Sequence, residues 1–252
     1  MGRLDGKVAV ITGGESGIGL ATARLFVAEG ARVHLAGLRE DLLKAAGAEL
    51  GVDAVSWSVT DVTEEDQVIS ALAQVADRFG RLDVLFSNAG ISGPIMPITE
   101  FPTDEFRRVL DVHILGAFLM LKHGLPVMRD GGSVIITSSI VGLTSAQGIA
   151  GYATAKHGQV GLMRTAAREA VARGIRVNTI HPGPTDTDFQ RDIEIRATGA
   201  PAPDAARIFD GMIPMGRHAT PAEIARSVLY LACDDSSFVT GTTLSVDGGM
   251  VI

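Results

Sequence analysis

Short apolar runs alternate along the chain with longer amphipathic segments. Lys7–Thr12, Arg32–Ala36, Ala54–Ser58, Leu82–Ser87, Ser133–Ser138, Arg176–His181 and Thr242–Val246 read as seven strands. Gly17–Glu29, Glu40–Leu50, Glu64–Phe79, Asp104–Met128, Tyr152–Arg173 and Pro221–Cys233 read as helices between them. The punctuation agrees. Gly30 and Gly80 close helices, Thr63 is placed to N-cap, Pro221 opens the last helix and Pro126 limits the long middle one. Strands that are continuously apolar are covered on both faces, and strand–helix alternation specifies right-handed βαβ units. The pattern therefore predicts an α/β fold, a doubly wound parallel sheet of seven strands with helices on both faces. Pro182–Pro214 breaks the rhythm with five prolines and mixed polarity. Residues 183–214 are expected to cover a ligand crevice at the strand ends of one domain spanning 1–252.

Composition narrows the class. A hydrophobic share of 46% over 252 residues fits a chain that buries one large core. The 30 glycines follow no collagen period, so they predict tight turns and close backbone approaches. A net charge of −7 argues against a nucleic-acid surface. The lone Cys233 lies in an apolar run and reads as a buried thiol. Met1-Gly-Arg-Leu-Asp-Gly-Lys7 lacks signal-peptide anatomy, and no apolar run approaches membrane-spanning length, so a cytoplasmic enzyme is the expectation. The six histidines and single cysteine show no metal-ligand spacing, and His181 reads as a structural histidine.

The first strand runs directly into Thr12-Gly13-Gly14-Glu15-Ser16-Gly17-Ile18-Gly19, and a helix follows. Glycines let the backbone approach a pyrophosphate, and the helix start offers N–H groups and the positive end of its dipole. In this strand–turn–helix context the loop predicts a nucleotide site in a Rossmann-like fold. A second constellation carries acid–base chemistry. Tyr152 and Lys156 stand four residues apart, on one face of a helix, and Ser139 precedes the tyrosine by thirteen. Lowering a phenol from its usual pKa by roughly three units takes ~4 kcal/mol. A lysine cation ~5 Å away supplies ~3 kcal/mol at an effective dielectric of ~20. A second positive charge would complete the shift and let the phenol exchange a proton with a carbonyl or alcohol oxygen.

Together these motifs resemble the short-chain dehydrogenase/reductase family, in its single-domain branch, over nearly the whole chain. Thr12-Gly13-x3-Gly17-Ile18-Gly19, Asp61-Val62, Asn88-Ala89-Gly90, the Ser139/Tyr152/Lys156 set, Asn178 with Pro182-Gly183, and Asp247-Gly248-Gly249 occur in the family's order. The resemblance implies an NAD(P)-dependent oxidoreductase that transfers a hydride between nicotinamide and a secondary alcohol or ketone. Tyr152 would be its general acid/base, Ser139 would bind the reacting oxygen, and Lys156 would hold the nicotinamide ribose and depress the phenol. Ser138 is the neighbour less well spaced for the serine role. The implied cofactor contacts are Gly13, Glu15, Ser16, Gly17, Ile18, Gly19, Leu38, Arg39, Asp61, Val62, Asn88, Ala89, Gly90, Tyr152, Lys156, Pro182, Gly183, Thr185 and Thr187. The family's fourth catalytic residue, an asparagine anchoring a water in a proton relay, is replaced by His113. Two readings stay open there: a relay that has become pH-sensitive, or a packed histidine.

An acidic residue after the second strand would bind the adenosine ribose of NAD, but Ala36-Gly37-Leu38-Arg39 offers none. Arg39 could pair with a 2′-phosphate, whereas Ser16 and Glu15 weigh against one. The balance is taken for NADP(H), with NAD(H) open. The pocket segments are mostly apolar and predict an apolar ketone or alcohol substrate. A non-catalytic, NAD(P)-binding redox sensor is the alternative, disfavoured by the intact Ser139/Tyr152/Lys156 set. A sugar-nucleotide epimerase or dehydratase would carry a further substrate domain. The resemblance further implies a homotetramer, with no nucleic-acid or membrane partner.

Overall fold

The computed structural model describes residues 2–252. Seven parallel strands form one sheet: β1 (Val8–Thr12), β2 (Arg32–Gly37), β3 (Val55–Val59), β4 (Val84–Ser87), β5 (Ser133–Thr137), β6 (Arg176–Pro182) and β7 (Thr243–Val246). Their spatial order is β3-β2-β1-β4-β5-β6-β7, every pairing parallel. The predicted α/β architecture is the one observed. The order reverses between β1 and β4, and in such sheets ligands bind at the carboxyl ends beside that reversal.

Alternation within each strand sorts side chains to two cores. Val8 and Val10 join Leu85, Val134 and Ile136 on one face. That face is covered by α3 (Glu65–Phe79), α5 (Gly116–Val127) and α6 (Ala150–Ala170). Ala9 and Ile11 join Phe86 and Ile135 on the other, beneath α1 (Gly17–Ala28), α2 (Glu40–Leu50) and α9 (Pro221–Ala232). A buried side chain of this size contributes about 1.5–3 kcal/mol, so both faces hold the sheet.

Three elements depart from expectation. Asp104–Met128 is not one regular helix: α4 (Thr103–Leu110) passes through a π-helical turn, Asp111–Leu115, into α5. The continuous helix Thr103–Val127 is long and apolar enough to cross a membrane by composition, unlike the expectation, yet Val109, Leu119, Met120 and Leu121 are buried within the fold. Thr63 does not cap α3. Its N–H and hydroxyl both donate to Asp61 Oδ1, a turn that takes the oxygen away from the helix start. The proline-rich stretch is largely helical, forming α7 (Asp188–Thr198) and α8 (Ala202–Asp210).

Candidate active site

A cleft of about 1370 Å³ opens at the carboxyl ends of β1, β4 and β5. Nearly every residue expected to bind cofactor lines it: Gly13, Glu15, Ser16, Gly17, Ile18, Leu38, Arg39, Asp61, Val62, Asn88, Ala89, Gly90, Pro182, Gly183, Thr185 and Thr187, with Ser139, Tyr152, Lys156 and His113. Gly19 lies behind the turn. A Cβ there would stand 2.1 Å from the Gly13 carbonyl oxygen, so only glycine lets α1 start hard against β1. Asn88 holds this turn from β4. Its amide donates to the Thr12 carbonyl at 3.1 Å and its carbonyl accepts from Thr137 Oγ1 at 3.0 Å. The Asn88 and Ala89 N–H groups both donate to Thr12 Oγ1, at 2.9 and 3.0 Å. A glycine turn at a helix start, open to a cleft, fits the pyrophosphate of a dinucleotide.

Ser139, Tyr152 and Lys156 converge on the same cleft. α6 begins at Ala150, which puts Tyr152 and Lys156 on one face; Lys156 Nζ lies 5.4 Å from the Tyr152 ring centroid. Lys156 is 2% exposed and donates to the Thr137 carbonyl at 2.6 Å. The depressed phenol expected from spacing is not what the chain itself provides. Burial pushes Tyr152 up to about 12, with only the Ser139 hydroxyl pulling down. Burial likewise brings Lys156 down to about 7, so the ammonium is only partly charged near neutrality. The enclosure that unites the pair also desolvates both, a cost the pairwise estimate left out.

Ser139 and Ser138 separate cleanly. Ser138 Oγ is spent on the Lys156 carbonyl at 2.9 Å, tying β5 to α6. Ser139 faces the cleft, and its backbone is held from beneath by His181. His181 Nδ1 meets the Ser139 carbonyl at 2.6 Å and its Nε2 meets Thr179 Oγ1 at 2.8 Å. That buried histidine is satisfied by both bonds and holds the Ser139 turn in place.

His113 lies in the π-helical turn, its ring packed against Gly90 and edge-on to Tyr152 at 5.4 Å between centroids. Its Nε2 donates to the Ile91 carbonyl at 2.7 Å. Its backbone carbonyl accepts from the Gln159 amide at 3.0 Å. Among the described residues, nothing bonds His113 Nδ1 or Gln159 Oε1, and both are buried. Burial, reinforced by Lys156, holds the imidazole well below its usual pKa. It is therefore neutral around pH 7, and the anticipated titration near 6.5 does not arise.

The 183–214 stretch expected to cover the crevice supplies apolar side chains to it, and the chain end supplies two that the sequence did not mark. Phe189, on α7, stands 6.3 Å from the Tyr152 ring, centroid to centroid. Ile193, Ala197, Phe209 and Met212 from α7, α8 and their following turn line the cleft, with Met250 and Val251 near the chain end. Thr187 was legible in kind: Thr187-Asp-Phe-Gln190 has the spacing of a helix start, and Thr187 Oγ1 accepts from the Gln190 N–H.

Comparison with known proteins agrees with this geometry. A family model described as "Enoyl-(Acyl carrier protein) reductase" matches residues 13–251. Momilactone A synthase of Oryza sativa subsp. japonica is 42% identical, the match covering 99% of this chain and 92% of that protein. Cis-4-hydroxycyclohexanecarboxylate dehydrogenase of Sinomonas cyclohexanicum is 40% identical over 96% of each chain. A crystal structure of levodione reductase superposes with a TM-score of 0.94 at 39% identity, covering 98% of both chains. With a dinucleotide turn at the β1–β4 reversal and Ser139, Tyr152 and Lys156 on the floor of one cleft, the chain belongs to the short-chain dehydrogenase/reductase family of oxidoreductases.

Proposed function

We propose that this protein interconverts a secondary alcohol and a ketone of moderately apolar, cyclic type, with Tyr152 as general acid/base. The observation that carries the reading is the Tyr152 phenol on the cleft floor, with Ser139 and Lys156 beside it. When bound, a nicotinamide dinucleotide supplies the hydride chemistry, and the protein supplies orientation and proton movement. Gly13 to Gly19 would hold its pyrophosphate, and Lys156 Nζ its nicotinamide ribose. Ser139 Oγ donates a hydrogen bond to the substrate oxygen and keeps it near the phenol. In reduction Tyr152 Oη gives its proton to that oxygen; in oxidation it takes the proton back. A phenol standing at about 12 is protonated at neutral pH, as reduction requires, but holds that proton more tightly than a free phenol does. α7 and α8 cover the pocket and exclude water.

The substrate class follows from the lining. Ile95, Ile140, Val141, Ile149, Phe189 and Phe209 present apolar surface, and one relative is named for a hydroxycyclohexanecarboxylate. His113 serves as a neutral imidazole that seats Tyr152 and the Ile91 backbone. Exposed Phe118, Val171, Phe238 and Ile252 support assembly as a homotetramer, for which sedimentation of the purified chain is the test. Turnover of a panel of cyclic ketones, followed by loss of the reduced-nicotinamide absorbance, tests the activity. Tight dinucleotide binding with no turnover of any member would favour a redox sensor instead.

A further inference from the structure

The end of β2 lacks the side chain that a dinucleotide site of this topology uses to read the adenosine ribose. Position 37 is glycine and position 38 is an exposed leucine. The space is nevertheless filled by an acid. Glu15 reaches across from the phosphate turn and lays its carboxyl over Gly37. A Cβ on Gly37 would stand 2.1 Å from Glu15 Oε2 and 2.5 Å from its carboxyl carbon, so the glycine is what admits the glutamate. The Leu38 N–H donates to Glu15 Oε1 at 3.3 Å, and Arg39 Nε stands 3.9 Å from the same oxygen. Glu15 Oε2 is buried and has no partner among the described residues, while the side chain as a whole is only 8% exposed. A buried carboxylate oxygen without a donor is costly. It lines the cleft beside Gly37, Leu38 and Arg39, so a bound molecule can supply that donor.

We propose that Glu15 takes over the ribose-reading role from the end of β2, accepts hydrogen bonds from the adenosine ribose diol, and makes this enzyme selective for NAD(H) over NADP(H). The proposal deepens the dinucleotide reading of the cleft and rests on it. It reverses the balance taken for NADP(H), in which Arg39 was set against Ser16 and Glu15. A vicinal diol offers O–H donors to an oxygen that lacks one. A 2′-phosphate offers acceptors only and carries about −1.5 to −2 charges at neutral pH. Glu15 and Arg39 together sum to no net positive charge, so nothing here offsets the phosphate. Arg39, half-exposed and already turned to Glu15, steadies the carboxylate in place.

Equilibrium binding to the full chain, measured by titration calorimetry, tests this without turnover. NADH should bind the wild type about 30-fold tighter than NADPH or better, a gap of about 2 kcal/mol. ADP-ribose against its 2′-phosphate should show the same gap, which places it at the adenosine end. Glu15→Ser should close the gap to within about threefold. Glu15→Ser/Gly37→Asp should reopen it, because an acid returns to the same space from β2. Should Glu15→Ser fail to fold, Glu15→Gln keeps the shape, and the wild-type comparison needs no variant. NADPH binding as tightly as NADH, or a Glu15→Ser variant that keeps the full preference, overturns the proposal. Binding of neither nucleotide refutes instead the dinucleotide reading on which it stands.

Discussion

Tyr152 shows how far a single residue's chemistry depends on what encloses it. Its spacing to Lys156 is visible in the chain, but the burial that raises one pKa and lowers the other is a property of the closed cleft. Burial is also why His113 behaves differently from its free chemistry. Held well below 6.5, it keeps a neutral ring across the working range. His113→Asn should therefore leave the shape of the kcat pH profile unchanged, with kcat falling less than about tenfold. A lost limb near pH 6.5 would show that the imidazole titrates in catalysis. His181 gives a second residue-scale prediction. Its contact with the Ser139 carbonyl holds that turn from beneath, and His181 itself does not line the cleft. His181→Ala should lower kcat by about 10²-fold while KM for the ketone changes little, because misplacement of the catalytic turn is felt in the transition state. Equal loss in both would point to general unfolding of the site.

Between elements, the pair α7 and α8 fills the 183–214 stretch expected to cover the crevice. A run with five prolines reads as irregular, yet the prolines fall at boundaries: Pro201 caps α8, and Pro184 and Pro214 lie outside the helices. The Thr187 cap and the Thr220–Glu223 capping box were present as spacings. What spacing could not show is the latch that joins them. His218 bonds Glu194 of α7 at 2.5 Å through Nε2 and Asp210 of α8 at 2.7 Å through Nδ1. Burial opposes charge on this ring, but the two carboxylates outweigh it and its pKa is raised. A group whose folded pKa is raised stabilises fully below its unfolded value near 6.5 and loses that contribution as pH rises through the folded value. KM for the ketone should consequently climb as pH rises above about 6.5, and His218→Gln should flatten that rise. An unchanged slope in the variant would remove His218 as the cause. The π-helical turn at Asp111–Leu115 is equally illegible, because its widened hydrogen bonding depends on Gln159 from α6 reaching the His113 carbonyl.

Across the whole molecule, the sheet was the most readable part, since seven apolar runs and their helices are written in local period. The buried polar network around His34 was not. His34 sits fully enclosed, bonded to Ser56 Oγ and Ser58 Oγ at 2.9 Å each, with Ser58 passing on to Thr60 Oγ1 at 2.8 Å. Burial lowers His34 to about 4. The unfolded chain therefore binds an extra proton between about pH 6.5 and 4, and stability falls as pH drops through that window. The expected loss is about 3 kcal/mol by pH 4, read as a lower urea midpoint, and His34→Gln should remove most of the slope. The site was legible as a set of residues and illegible as an environment, because Met250 and Val251 reach it, and Lys156 is enclosed, only through tertiary folding. The claim that joins these scales is that the Tyr152 phenol on the cleft floor moves the proton in a nicotinamide-coupled carbonyl reduction. Its most direct test is single-turnover reduction of a cyclic ketone by the wild type and by Tyr152→Phe, each saturated with reduced cofactor. The account predicts turnover by the wild type and a loss of about 10³-fold in the variant with cofactor affinity retained. A Tyr152→Phe enzyme that reduces the ketone at a wild-type rate would contradict it.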